Sequence, residues 1–187
     1  MIDGVPPEPL DVDRYLDRLG VDGLAAAHRL GVDGLMRAHL VAVPFENLDI
    51  VFAGGVAHDA AAAFEKIVSG RGGWCFELNE PFGLLLGELG YDVRRLGAAV
   101  LLGGPADVLD HLALEVSGGP HDLEPLLVDV GFGDSFTRPI RLNRPGPQDG
   151  GSADFELIAS PRGTTLAEYV DGTPSARYRF KRVAHDF

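Results

Sequence analysis

At 187 residues, with 45% hydrophobic, 8% aromatic and 24% charged side chains, the chain has the make-up of a folded globular protein that buries its own core, not of a disordered or fibrous one. Its 28 acidic against 16 basic residues leave a net charge of −12, with no basic stripe interleaved with aromatics, which argues against a nucleic-acid partner. A single cysteine excludes an intramolecular disulfide and a multi-cysteine metal site; with no signal-like N-terminus and no stretch near the ~20 apolar residues of a membrane span, a soluble cytoplasmic protein is expected, with no membrane and no metal.

The first half reads as an N-terminal helical bundle. Asp11 or Asp13 can cap a helix through Tyr15, Leu16 and Leu19, which Gly20 stops. A short helix is predicted over 24–30. Another, opened by Asp33, runs along GLMRAHLVAV and must end at Pro44, because the residue before proline is pushed out of the helical region. LGVDGL stands at 19–24 and again at 30–35, one glycine-stop, aspartate-start device used twice rather than a solenoid repeat. Asp59 opens AAAAFEKIVSG, which Gly70 stops. Residues 76–89 carry Phe82, Leu85, Leu86 and Leu89 at helical spacing, with Gly90 as the stop. Pro81 inside this run is expected to kink the helix or shift its start.

After Gly90 the periodicity changes to two. GAAVLLGG, HLALEVSGG, LLVDVGFGD, DFELIAS, TTLAEYVDG and RYRFKRV read as short antiparallel strands, DGTP at 171–174 as a hairpin turn, and 144–154 as an exposed, linker-like excursion. The expected class is therefore α+β, a helical domain over 1–90 followed by a β-rich barrel or sandwich over 91–187.

Cys75, in RGGWCFELN, is either a small buried hydrophobe or a nucleophile. A helix N-terminus, tight glycines before it and free backbone N–H groups beside the sulfur would favour the thiolate and suit acyl transfer. A nucleophile needs a base, and the base an orienting acid. Of six histidines (His28, His39, His58, His111, His121, His185), His111 heads the strand HLALEV, sharing one face with Ala113 and Glu115. His121 beside Gly119-Pro120 reads as a solvated turn residue. Asp129, in the apolar LLVDVGF, needs a strong partner such as a histidine N–H, unless it caps a turn at a strand end. Asp110 is the weaker acid, since adjacent strand residues point to opposite faces.

VPFENLD (43–49), RGGWCFELN (71–79), HLALEV (111–116) and LLVDVGFG (126–133) together resemble, in order, the motifs of the arylamine N-acetyltransferase family, over a stretch from about Leu16 to about Gly133. The resemblance implies a cysteine-protease-like core with Cys75 as acyl-accepting nucleophile, His111 as base and Asp129 as the acid that orients it. It implies that Phe45 and Phe132 line the acceptor pocket, that Gly131 and Gly133 let backbone approach the coenzyme A pyrophosphate, and that Arg18, Glu46 and Arg71 form a buried charged cluster bracing the site. Glu46, in an apolar segment, independently calls for a basic partner. The family's C-terminal α/β lid would begin about where RYRFKRVAHDF ends, and Pro81 stands where the family generally prefers a helix former.

The implied reaction is ping-pong transfer from acetyl-CoA to an aromatic amine, hydrazine or arylhydroxylamine through an acyl-cysteine. Three other readings stay open. One is an amide synthase acting on a polyketide held by an acyl carrier protein, docked by Arg177, Arg179, Lys181 and Arg182, which read equally as a solvated strand edge. Another is a cysteine peptidase with the same residue order. The third is a non-catalytic remnant acting as an interaction protein, and a homo-oligomer is expected if a second subunit covers an exposed apolar cleft.

Overall fold

The computed structural model describes residues 10–52, 59–104 and 108–182; His58 and His185 lie outside them. Helix α1 (Val12–Leu19) starts where Asp11 accepts a hydrogen bond from the Arg14 N–H at 3.2 Å and ends at left-handed Gly20, burying Tyr15, Leu16 and Leu19. The two helices expected next are two halves of α2 (Gly23–Ala42), separated at Gly31, whose φ of 62° and ψ of −170° interrupt the helix. Asp33 therefore lies in the first turn of the second half instead of capping it. Val43, in extended conformation, ends α2 before Pro44.

A five-residue helix that periodicity did not predict, α3 (Leu48–Phe52), follows with none of its residues buried. Helix α4 (Ala60–Val68) begins where Asp59 accepts from the Ala62 N–H at 2.7 Å. Helix α5 (Cys75–Glu88) continues through Pro81, and its start is not displaced by the proline. One absent N–H is a modest loss in a helix that completely buries Leu78, Phe82, Leu85 and Leu86, each of which favours folding by about 1.5–3 kcal/mol.

The second half is one antiparallel sheet in the order β4-β3-β2-β1-β8-β7-β6-β5. Its strands are β1 (Asp92–Val100), β2 (His111–Gly118), β3 (Leu123–Val128), β4 (Ile140–Arg141), β5 (Gln148–Asp149), β6 (Asp154–Ser160), β7 (Gly163–Val170) and β8 (Thr173–Phe180). The β7–β8 turn is DGTP as predicted, with Asp171 and Gly172 at φ 50° and 76°, the positive values a two-residue hairpin needs. The strand read into LLVDVGFGD stops at Val128, so Asp129 and the glycines after it lie in a loop.

The 144–154 segment is largely exposed, as expected, but it is anchored where Gln148 and Gly150 are buried. Gln148 is 6% exposed and its amide meets the backbone of Arg141 twice, accepting from the N–H and donating to the C=O, each at 3.0 Å. A glutamine amide carries one acceptor and a donor spaced like a peptide group. Gln148 thereby bridges β5 to β4, the two ends of the sheet, in a nearly closed, barrel-like arrangement. Both halves share one hydrophobic cluster, running from Tyr15, Leu35 and Met36 through Leu78 and Phe82 of α5 to Leu114, Val128 and Tyr178. At Gly83 a Cβ would stand 3.3 Å from Leu114, so α5 lies close on the barrel wall and carries Cys75 to the mouth of β2.

Candidate active site

The segment before α5 is held against the PFEN stretch. Phe45 pairs with Gly73 in a parallel bridge, the Glu46 N–H donates to the Gly73 C=O at 2.9 Å and the Gly73 N–H to the Pro44 C=O at 3.3 Å. A Cβ on Gly72 would sit 1.9 Å from the Pro44 oxygen, and one on Gly73 2.7 Å from the Glu77 Cβ. The two glycines are thus required for close approach, not for a left-handed turn. Cys75 is the first residue of α5, where helix N–H groups have no partner within the helix and the dipole is positive.

Cys75 is 6% exposed, and its Sγ lies 3.8 Å from the Asp110 carbonyl oxygen. His111, at the start of β2, places Nε2 2.7 Å from Asp129 Oδ2, which leaves Nδ1 for the thiol. Asp129 Oδ1 accepts from Asn79 Nδ2 and from the Gly131 N–H, both at 2.9 Å. Asn79 also donates to the Leu112 C=O at 2.7 Å and accepts from the Val130 N–H at 2.9 Å. One α5 side chain therefore fixes both β2 and the loop after β3. Burial opposes the charged form of His111, but the charge and hydrogen bond of Asp129, then those of Cys75, outweigh it and raise its pKa to about 10. The imidazolium is the form held at neutral pH.

Aromatic rings surround this pair. Phe132 meets His111 edge-on at 5.1 Å between centroids, and Tyr178 of β8 packs against both rings at 5.0 and 5.2 Å. The Tyr178 hydroxyl is buried beside Asp129; burial first, then that carboxylate, hold its pKa well above the usual tyrosine value. Behind Cys75 lies a charged cluster. Lys66 Nζ is 2.7 Å from Asp49, 2.8 Å from Glu77 and 3.8 Å from Glu46, while Arg71 Nη2 is 2.7 Å from Glu46 and 2.9 Å from Asp49. Burial works against the Lys66 charge, but its bonds to Asp49 and Glu77 prevail and raise its pKa.

The N-acetyltransferase family model matches residues 32–186. The chain belongs to the arylamine N-acetyltransferase family. The arylamine N-acetyltransferase of Mycolicibacterium smegmatis is 35% identical over 178 residues, 91% of this chain and 64% of that relative. That of Escherichia coli K12 is 36% identical over 135 residues, 70% of this chain and 47% of its own. The structure of arylamine N-acetyltransferase from M. tuberculosis overlays with a TM-score of 0.84 at 33% identity, covering 94% of this chain and 68% of that one. The Mycobacterium marinum arylamine N-acetyltransferase in complex with CoA has the same TM-score and identity, with coverages of 94% and 67%. The chain spans less than two thirds of the length of either curated relative.

In this arylamine N-acetyltransferase family member the structure brings Cys75, His111, Asp129, Gly131 and Phe132 together. A Cβ on Gly131 would stand 2.7 Å from the Cys75 Cα, so this glycine is needed for packing against the cysteine backbone; Gly133 adopts φ 90° with open space around it. Phe45 is 47% exposed beside Gly73. Glu46 and Arg71 are paired, but Arg71 is half-exposed and Arg18 bonds elsewhere, its Nε donating to the Ile67 C=O at the end of α4.

Lys66, Asp49, Glu77, Asn79 and Tyr178 were not singled out in the sequence. Asn79 alone had a local signal, a polar side chain one helical turn after Cys75 on the buried side of an apolar run. Two of the four basic residues near the C-terminus bond acids of the fold. Arg182 clasps the buried Glu115 with two bonds of 2.9 and 2.7 Å, and Arg177 pairs with Glu168 while its guanidinium lies 5.4 Å from the Phe132 ring. Asp110 directs its carboxylate to the Val100 N–H and presents only its carbonyl to Sγ. His39 is a core residue, its pKa lowered by burial to about 3, and His121 bonds the His28 C=O. Among the described residues no group of three or more His, Cys, Asp or Glu side chains is arranged to hold a metal ion, and no helix is long and apolar enough to cross a membrane.

Proposed function

We propose that the protein transfers an acetyl group from acetyl-CoA to an aromatic amine, hydrazine or arylhydroxylamine through an acyl-cysteine on Cys75. The observation that carries this reading is the arrangement of Cys75 at the N-terminus of α5 next to a buried His111 whose Nε2 is bound by Asp129 at 2.7 Å. The names of the relatives, and the CoA complex of the M. marinum protein, support the same donor and acceptor.

In the first half-reaction the thiolate, favoured by the imidazolium and the helix N-terminus, attacks the thioester carbonyl. Oxyanion charge develops beside the free N–H groups of the first turn of α5, and coenzyme A departs with the proton from His111 Nδ1. In the second, the amine attacks the acyl-cysteine, its proton passes to His111, and the Cys75 thiolate is released. Asp129 keeps the imidazole oriented throughout, and in this reading Phe132, packed on His111, and Phe45, beside Gly73, line the site of the aromatic acceptor. Gly133 leaves room for the coenzyme A pyrophosphate near the backbone.

The free thiol chemistry fits a reducing cytoplasm. Of the four basic residues of the carrier-protein reading, Arg177 and Arg182 are committed to acidic partners within the fold. To test the main reading, the purified chain is mixed with acetyl-CoA, quenched in acid and weighed intact. One acetyl group on the wild type and none on Cys75→Ala is the expected result. Absence of the acetyl group from a wild type whose Cys75 reacts with iodoacetamide would reject acetyl-CoA as donor to this chain.

A further inference from the structure

Cys75 is backed by an acid as well as faced by a base. Glu77, in the first turn of α5, is 2% exposed; its Oε2 accepts the Trp74 N–H at 3.2 Å, and its Oε1 has no hydrogen-bond partner among the described residues. A buried carboxylate two residues after the nucleophile repels a thiolate at the same helix end and weakens the positive field that the N-terminus supplies. The position is nonetheless useful, because its carboxylate fixes the Trp74 N–H and its Cβ leaves no room for a side chain on Gly73.

Lys66 of α4 resolves the conflict. Its ammonium, on a side chain only 11% exposed, contacts Glu77 Oε2 at 2.8 Å. The other charges around it are Asp49 at 2.7 Å and Glu46 at 3.8 Å, both of which Arg71 also binds. Without Lys66, Arg71 still answers Glu46 and Asp49, whereas among the described residues the cation paired with Glu77 is Lys66. The charged groups facing Cys75 itself are His111, with Asp129 behind it; Asp110 turns its carboxylate to the Val100 N–H. We propose that Lys66 is a positioning residue for Cys75: by neutralising the buried Glu77 that fixes the backbone before α5, it lets that helix end hold the cysteine as thiolate. The proposal rests on Cys75 being the nucleophile and assigns a residue outside the triad to its activation.

The test uses the single cysteine as its own reporter. Alkylation of Cys75 by iodoacetamide is followed across pH by intact mass for wild type, Lys66→Met, Lys66→Arg, Glu77→Gln and the double variant Lys66→Met/Glu77→Gln, with thermal unfolding checked for each. For Lys66→Met the pH midpoint of alkylation rises by about one unit, so the rate below the midpoint falls roughly tenfold. Lys66→Arg and the double variant return to within about twofold of wild type, since one restores the cation and the other removes the charge needing it. An unshifted midpoint in Lys66→Met, or a double variant no better than Lys66→Met, overturns the proposal. If Lys66→Met does not fold, Glu77→Gln carries the test, because it leaves the Lys66 charge unopposed by Glu77: a midpoint lowered from wild type supports the proposal, and an unchanged midpoint overturns it. Failure of the acetylation reading shows separately, as a wild type that alkylates but takes no acetyl group from acetyl-CoA.

Discussion

Toward the barrel, Cys75 faces His111 and Asp129, at 2% and 3% exposure, and every oxygen of that carboxylate is hydrogen-bonded. Toward the helices it is backed by ion pairs whose side-chain exposure grows outward, from 2% at Glu77 through 11% at Lys66 to 47% at Arg71. The difference shows how burial sets the kind of interaction. Where water is excluded, an unmatched polar atom costs about 1–3 kcal/mol, so geometry must be complete. Where solvent enters, charges tolerate approximate geometry, and their worth fades with exposure. The barrel side therefore fixes position, and the helical side tunes charge.

Removing the barrel-side charge is expected to have the largest effect. Asp129→Asn should slow acetylation of Cys75 by roughly 10³–10⁴-fold, measured by quenched-flow mass spectrometry, because the amide no longer stabilises the imidazolium or fixes its orientation. The same variant reads the linkage to pH. The folded pKa of His111, about 10, lies above its ordinary 6.5, so protonation of His111 stabilises the fold fully below pH 6.5 and progressively less as pH rises to 10. The stability advantage of wild type over Asp129→Asn in denaturant titrations should therefore shrink from pH 6.5 to 10. A constant gap would show that the Asp129 charge is not coupled to His111.

Asn79→Ala comes next. It strips partners from the Leu112 C=O, the Val130 N–H and Asp129 Oδ1 while leaving all three triad residues in place. A loss of about 3 kcal/mol in unfolding free energy is expected, together with slower acetylation, as the loop after β3 loosens from β2. On the helical side Arg71→Gln should leave unfolding nearly unchanged, because its side chain is half-exposed and Lys66 still contacts both Glu46 and Asp49. A loss from Arg71→Gln as large as that from Asn79→Ala would erase the contrast between the two sides.

Much of the molecule was legible in the chain. Asp11, Gly20 and Asp59 mark helix ends through hydrogen bonds to neighbours three residues away, and DGTP marks a turn through the φ values its residues tolerate. These signals are local, and the structure keeps them. At Pro81 the local rule allowed a displaced start, and the helix instead starts at Cys75, its burial outweighing one missing bond. The 144–154 stretch is as exposed as its proline- and glycine-rich composition suggests, but that composition says nothing about Gln148 joining the two ends of the sheet.

The sequence by itself determined the α+β order, most element boundaries and, through four motifs, the family and the residues to examine. Only the tertiary structure decided what each polar group meets. Asn79 reaches Asp129 across 50 positions, Arg182 reaches Glu115 across 67, and Lys66 of α4 reaches Glu77 of α5. The physical reason is that a helix end or a turn is stabilised by groups a few residues apart, whereas a buried charge is stabilised by whichever partner the packed core brings to it.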